Sequence, residues 1–171
     1  MVAKTLAYER TPYVSDTAWF HRCTALIADS ADNDASVYWA DKRYVESLAV
    51  AAGFPPVDTL VGTQHKNQDD VVRAVNNGTS FLFFRGEATD CWVQPFDMRR
   101  SFGSMTNGTR LPIVGSFTCQ TLSLSSYNDS MTGNTWIKVG TPQNPSGAVA
   151  VIGNTYSASH VAGQRSAMTR G

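Results

Sequence analysis

The chain has 171 residues, and its 14 basic and 14 acidic side chains give a formal net charge of zero at pH 7. A chain of this length suits one domain with an independent hydrophobic core. Because the charges cancel and form no long run of either sign, we expect neither nucleic acid nor a membrane as a partner. No apolar run reaches the roughly 18 residues that span a bilayer, and the first residues lack the apolar stretch of a signal peptide.

Short apolar runs that alternate with helical patterns predict an α/β domain. Five runs rich in branched and aromatic residues predict strands, at residues 23–28, 57–61, 81–84, 112–117 and 148–152. Apolar residues at three- and four-residue intervals predict helices over residues 36–52 and from Asn67 or Asp69 to Asn77. We therefore expect one open, mainly parallel sheet flanked by helices on both faces, a three-layer αβα arrangement.

Two further segments carry weaker patterns. Residues 1–20 are polar and turn-prone with scattered aromatic residues, which predicts a short helix or arm that packs its aromatic side chains on the domain. Residues 135–139 predict a short helical stretch between the last two strands. Both segments would lie at the periphery of the sheet.

The fourth predicted strand runs directly into a cysteine, Cys119. Small polar residues follow at 120–126, a composition typical of loops at the carboxyl edge of an open α/β sheet, where ligands usually bind. The other cysteines, Cys23 and Cys91, are too few and too distant for a disulfide framework, so at least one thiol is free or forms an intermolecular bond. Free cysteines are commonly inert and buried, and both a nucleophilic and an inert Cys119 stay open at this point.

An acidic loop follows the first predicted strand and contains Asp29, Asp32 and Asp34. These carboxylates would allow a structural calcium ion, but their spacing is not that of a helix-loop-helix calcium site, and a solvated loop is the favoured interpretation. The sequence has no phosphate-binding glycine loop, no dinucleotide fingerprint and no paired-cysteine zinc motif. No cofactor is therefore expected to be required.

Three segments resemble the catalytic core of the gingipain-type cysteine peptidases. They are residues 80–87, 111–119 and 145–153, with the sequences SFLFFRGE, LPIVGSFTC and PSGAVAVIG. Further similar positions occur in the same order at residues 6–9, Trp19, residues 57–60 and residues 70–78. The resemblance covers nearly the whole chain, and it implies a caspase-like fold and a single peptidase catalytic-type domain over residues 1–171, as a fragment or one chain of a larger protein.

The resemblance also implies roles for individual residues. Cys119 falls on the family's nucleophile, and Gly86 with backbone amides near Cys119 would form the oxyanion site. Glu87 stands where the family has its catalytic histidine. An imidazole can stabilise a thiolate and protonate the leaving amine, whereas a carboxylate does neither readily. Trp92 would line a substrate pocket or, equally, form an aromatic wall of the core.

The sequence contains three histidines that could be considered as the catalytic base in place of the histidine that Glu87 replaces. We expect His21 and His65 to be surface or capping residues, because neither follows a strand beside Cys119. His160 comes after the last predicted strand, at the same edge of the sheet. An approach of His160 to Cys119 stays open as the less favoured interpretation.

By resemblance, the expected function is that of a cysteine endopeptidase with polypeptide as substrate, secreted or at the cell surface. Further domains or a second chain of the same precursor are the expected partners. Two alternatives stay open because of Glu87: a catalytically impaired family member that serves as a binding or scaffold module, and an unrelated α/β domain that binds a small ligand at the same sheet edge. Activity is the point on which these hypotheses differ.

Overall fold

A computed structural model describes residues 2–31, 33–123, 132–155, 167, 169 and 170. Its strands are β1 Cys23–Ile27, β2 Asp58–Val61, β3 Phe81–Arg85, β4 Ile113–Ser116 and β5 Ala150–Gly153. They form one sheet in the order β2-β1-β3-β4-β5, and every neighbouring pair is parallel. Each predicted strand overlaps an observed one, so the predicted parallel α/β sheet is confirmed.

Among the described residues, four α-helices flank this sheet, α1 Val2–Arg10, α2 Ala35–Ala51, α3 Gln68–Asn77 and α4 Thr132–Lys138, and short 3-10 helices occur at Ala18–His21, Gly62–Gln64 and Phe102–Ser104. The predicted start of α3 is confirmed at Asn67, whose side chain accepts a hydrogen bond from the Asp69 amide at 2.9 Å. In return, the Asp70 carboxylate accepts from the Asn67 amide at 3.0 Å, which completes a capping box. Within the described part of the chain, no helix combines the length and apolar character needed to cross a membrane.

Two hydrophobic clusters cover the two faces of the sheet. On one face, α2 packs through Tyr38 against Ala25, Ile27 and Phe83. On the other face, α3 and α4 join the loop between β3 and β4 around an aromatic group that consists of Phe84, Trp92, Phe96, Phe102 and Trp136. The apolar runs of the sequence are therefore buried from both sides, which is the three-layer arrangement that parallel strands require.

The amino-terminal segment folds back onto the domain, as predicted. In α1, the buried ammonium group of Lys4 donates to the carbonyl groups of Ile137 at 2.6 Å and Ser146 at 2.9 Å. Burial lowers the pKa of Lys4 to about 8. The aromatic side chains also pack inward, with the Tyr8 ring edge-on to the fully buried Trp19 at 6.4 Å between centroids.

Candidate active site

The candidate site lies where β3 and β4 end side by side. The last paired residues of these two strands are Phe84 and Ser116. Glu87 and Cys119 each follow three positions later, so both come at the carboxyl edge of the sheet on neighbouring strands. The register therefore agrees with the expected proximity of these two backbone positions.

Backbone and side-chain hydrogen bonds connect the segments that follow β3 and β4 beyond the last paired residues. The Phe117 amide still donates to the Phe84 carbonyl at 3.2 Å. Next, Nη1 of Arg85 donates to the Phe117 carbonyl, and Oγ1 of Thr118 donates to the Gly86 carbonyl at 2.7 Å. The backbone is thus held on both strands up to the residue before Cys119.

Arg85 is the anchor of this connection, because its guanidinium group is fully buried and paired. Its Nε lies 2.8 Å from Oδ2 of Asp41 in α2, and neither side chain has any exposed surface. The guanidinium carbon lies 4.9 Å from the centre of the Tyr38 ring. Asp41 is approached from the solvent side by Arg170 at 3.5 Å. Removing one partner of such a buried ion pair strongly destabilises the protein. The pair therefore fixes α2 to the ends of the strands.

The segment that follows β4 is also fixed from the side of β5. Nδ2 of Asn154 donates to the Thr118 carbonyl at 2.7 Å, and the Asn154 carbonyl accepts from the Leu122 amide at 2.9 Å. The hydroxyl groups of Ser116 and Thr121 lie 2.8 Å apart and share a hydrogen bond. Residues 118–122 therefore form a fastened loop around Cys119.

Trp92 lies beneath this loop and is fully buried. Its ring stacks on Phe84, with 4.4 Å between centroids and 10° between planes, and its Nε1 donates to Oγ of Ser116 at 2.7 Å. In this structure the side chain offers no surface to a substrate. Its burial fits the second of the two expected roles, an aromatic wall of the core that supports the ends of β3 and β4.

The three thiols differ in exposure. Cys119 is partly exposed, whereas Cys23 and Cys91 are buried, and none forms a disulfide. Burial, followed by the negative charges of Asp58 and Glu46, raises the pKa of Cys23 to about 12, and burial also raises the pKa of Cys91. Because a thiol reacts as the thiolate and must be reached by its target, Cys119 is the thiol of this chain that is suited to chemistry.

Gly86 is required by packing. A Cβ atom at this position would lie 2.6 Å from Cβ of Ala28 and 2.8 Å from Cζ of Phe84, closer than side-chain contacts allow. The glycine thus lets the ends of β1 and β3 approach each other. Its contribution to an oxyanion site stays a prediction.

The described histidines lie away from Cys119. His21 precedes β1 at the amino edge of the sheet, where its ring lies 5.9 Å from the ring of Phe54. His65 follows β2, which β1 and β3 separate from β4. His160, whose approach to Cys119 is the less favoured interpretation of the sequence, lies outside the described residues.

A cleft opens beside Glu87 at the same edge of the sheet. Its volume is about 530 Å³, and Glu87, Ser30, Gly62, Val93 and Pro95 lie on its walls. A cleft of this size can enclose a side chain or a short peptide segment. It joins the loop after β1 to the loop after β3, so a polypeptide lying along the carboxyl edge would pass it.

The acidic loop after β1 has a structural use in the described residues. The Asp29 carboxylate accepts from the Thr63 amide and hydroxyl, both at 2.9 Å, and from Nε1 of Trp39 at 3.3 Å. Asp32 lies outside the described residues, and no group of three metal-binding side chains occurs among those described. The structural calcium ion accordingly stays a prediction.

Sequence reasoning missed two groups that hold the site, the Arg85–Asp41 pair and Asn154. For the pair, a signal was present: Asp41 lies three residues after Tyr38 and four before Val45, on the apolar side of the predicted helix. A carboxylate on such a face calls for a buried cation, and Arg85 ends an otherwise apolar strand. Asn154 gave no comparable signal, because an asparagine after a strand is typical of any turn.

Comparisons with known proteins agree with this arrangement. A crystal structure of the Arg-specific cysteine proteinase gingipain R matches 91% of this chain and 36% of its own, with a TM-score of 0.70 and 17% identity. The complex of the RgpB pro- and mature domains from Porphyromonas gingivalis matches 92% of this chain and 38% of its own, with a TM-score of 0.72 and 18% identity. The chain thus has the caspase-like gingipain fold and spans little more than a third of these proteins.

Sequence comparison identifies the family directly. No curated protein sequence is significantly similar to this chain. The family model of peptidase family C25, in contrast, matches residues 1–171, the full length given. Together with the parallel sheet and the cysteine at its carboxyl edge, this match shows that the chain is a cysteine peptidase-type domain and belongs to peptidase family C25.

Proposed function

We propose that this chain is a cysteine endopeptidase domain in which the Cys119 thiolate attacks a polypeptide carbonyl. The observation that carries the proposal is the position of Cys119. It is the partly exposed thiol, whereas the other two are buried. It follows β4 at the carboxyl edge of the sheet, and hydrogen bonds hold the backbone around it. Pre-organised backbone of this kind is what nucleophilic catalysis requires.

The proposed chemistry has three parts. The sulfur of Cys119 forms a bond to the carbonyl carbon, and the carbonyl oxygen becomes an oxyanion that the Cys119 and Gly86 amides would bind. As the oxyanion collapses, the C–N bond breaks and the leaving amine must receive a proton, after which water hydrolyses the thioester that remains on Cys119. Glu87 is the ionisable residue that the register brings beside Cys119, and a carboxylate does not readily replace an imidazole as the proton donor at neutral pH. We therefore expect a slow enzyme.

The substrate and the setting follow from the family. A polypeptide is the proposed substrate, and the cleft of about 530 Å³ beside Glu87 would receive part of it. We also propose that the domain works with a further domain or a second chain, because it matches little more than a third of gingipain R, and one matching structure is a complex of pro- and mature domains. A secreted or cell-surface location belongs to the same proposal.

A second candidate function is that of a catalytically impaired module that binds polypeptide without cleaving it. The observation that favours it is Glu87 at the position of the family's histidine, together with the distance of both described histidines from the end of β4. On this hypothesis the Cys119 loop is retained as a rigid binding surface.

Labelling with a peptidyl chloromethylketone tests the proposal and separates the two candidates. We expect alkylation at Cys119, located by mass spectrometry and absent in Cys119→Ala. Glu87→His should raise the rate by about 10²-fold or more, since a positioned acid-base group typically contributes 10²–10⁴-fold. The double variant, Glu87→His with Cys119→Ala, should not react, which would show that the gain requires the thiol.

Each other outcome is informative. Rapid peptide cleavage by the unmodified chain that is lost in Cys119→Ala would mean that Glu87 or another group already serves as the base. No response to Glu87→His in a folded protein would favour the binding module. Cleavage or labelling that survives Cys119→Ala would contradict both the nucleophile and the site.

A further inference from the structure

Asn154 directly follows β5 and holds the two ends of the loop that carries Cys119. Its Nδ2 donates to the carbonyl of Thr118, the residue before Cys119, at 2.7 Å. Its own carbonyl accepts from the amide of Leu122, three residues after Cys119, at 2.9 Å. Asn154, at the end of the neighbouring strand β5, therefore binds the loop both before and after Cys119.

The first of these hydrogen bonds sets the direction of one peptide group. The Thr118 carbonyl points toward Asn154, on the side of β5. In a planar trans peptide, the C=O and the N–H point in opposite directions. The Cys119 N–H therefore points away from Asn154 and from the end of β5.

On the side that leads into the loop, two other anchors act before the peptide between Thr118 and Cys119. Arg85 binds the carbonyl of Phe117, and the Thr118 hydroxyl binds the carbonyl of Gly86. These contacts fix the path of the backbone into the loop. The next peptide, between Thr118 and Cys119, is held at its carbonyl by the Asn154 side chain.

We infer that Asn154 is a positioning residue that aims the Cys119 N–H at the carbonyl oxygen of a bound substrate. This inference rests on the proposed function, because it assigns that N–H to the oxyanion. Asn154 does not touch the reacting atoms. It acts through the peptide group, so its loss should affect reactions that generate an oxyanion far more than reactions of the thiol that generate none.

Two electrophiles make this distinction measurable. With a peptide aldehyde, the Cys119 thiolate bonds to the carbonyl carbon, the carbonyl π bond breaks, and its electron pair moves to the oxygen. The Cys119 N–H would bind this oxyanion before it takes up the proton that the thiol released, which completes the hemithioacetal. With iodoacetamide, the thiolate displaces iodide and no oxyanion forms. Asn154→Ala should weaken aldehyde binding by about 10- to 100-fold. This is less than the roughly 10²–10³-fold cost of losing one oxyanion donor, because the Cys119 N–H is misdirected and not removed. The iodoacetamide rate should change by less than about 3-fold.

A matched control lies at the opposite edge of the sheet. Asn76 is also partly buried, and its side chain donates to the Ser104 carbonyl at 3.2 Å and accepts from the Thr106 amide at 2.7 Å. Asn76→Ala should leave both reactions as they are. Asn154→Asp keeps the shape of the side chain but removes the donor, so it should reproduce the effect of Asn154→Ala without a cavity.

The outcomes that would overturn the inference are distinct from those that would overturn the proposed function. The positioning role is contradicted if aldehyde binding is unchanged in Asn154→Ala and Asn154→Asp. It is also contradicted if aldehyde binding and the iodoacetamide rate fall in the same proportion. If the unmodified chain binds no aldehyde, the proposed function fails. The role of Asn154 is then tested by the ¹⁵N chemical shift and the hydrogen exchange rate of the Cys119 amide. Asn154→Ala must change both clearly more than Asn76→Ala does, and equal changes would overturn the inference.

Discussion

The two ends of the sheet use the same interaction, an arginine that donates to backbone carbonyls, in opposite environments. At the amino end, Arg22 donates to the Asn77 carbonyl at 2.8 Å at an exposed site, where water competes for the donor. At the carboxyl end, Arg85 donates to the Phe117 carbonyl with no exposed surface and with a carboxylate as second partner. The exposed contact can be exchanged for water, whereas the buried one cannot, so rigidity is concentrated beside Cys119.

The cysteines at these two ends show the same contrast. Cys23 begins β1 at the amino end, where it is enclosed by apolar side chains and where burial raises its pKa to about 12. Cys119 follows β4 at the carboxyl end, where polar side chains hold the backbone and the thiol is partly exposed. One residue type thus serves as inert core in one place and as the candidate nucleophile in the other.

The largest effect that we expect comes from breaking the buried arginine contact. Arg85→Met leaves the Asp41 carboxylate buried without its closest cation, and it should lower the free energy of unfolding by about 3–5 kcal/mol. Arg22→Met at the exposed end removes a hydrogen bond that water can replace, and should cost about 1 kcal/mol or less. Urea denaturation of the two variants at pH 7 measures the difference.

A double variant shows whether the penalty comes from the unpaired charge. Arg85→Met combined with Asp41→Leu removes both buried charges, and it should recover a large part of the stability lost in Arg85→Met alone. Equal costs for Arg85→Met and Arg22→Met would contradict the difference between the two ends of the sheet.

The second prediction compares the thiols directly. In the folded protein at pH 8, iodoacetamide should modify Cys119 at least about 10²-fold faster than Cys23 or Cys91, because buried thiols with raised pKa values supply little thiolate and react only after local opening. Peptide mass spectrometry over time gives the three rates. In Cys119→Ser the fast phase should disappear, and in urea the three cysteines should react at similar rates. A fast phase at Cys23 would contradict the contrast.

The sheet was predictable because burial on both faces forces continuous apolar runs. Residues 81–84 and 112–117 carry that pattern, and the structure confirms both as neighbouring parallel strands. The position of Cys119 followed from the same pattern, because a cysteine directly after a buried strand must lie at its carboxyl end. Trp92 was harder to predict, since a tryptophan in a polar loop fits a pocket wall and a core wall equally well, and only packing on Phe84 distinguishes them.

The supporting contacts were less accessible to sequence reasoning, because they depend on which carbonyl each side chain reaches. Asn154 holds the Thr118 carbonyl across 36 positions of sequence. Such a long-range contact leaves no local periodicity. Glu87 illustrates the reverse case: the residue is plain from the sequence, and its place at the position of the family's histidine is a prediction that the experiments above test.

The smallest effect that we expect is a pH dependence of stability that comes from Cys23. The pKa of Cys23 is about 12 in the folded protein, above the ordinary value of 9.0. As the pH rises, the unfolded chain therefore loses the thiol proton first. The stabilisation that is present below pH 9 is lost between pH 9 and 12. Between pH 9 and 10 the free energy of unfolding should fall by about 1 kcal/mol relative to Cys23→Ala. Lys4, with its pKa lowered to about 8, acts in the opposite direction over this interval, but its contribution cancels because both proteins contain it. Parallel curves of stability against pH for the two proteins would show that the Cys23 thiol is not held neutral by the fold.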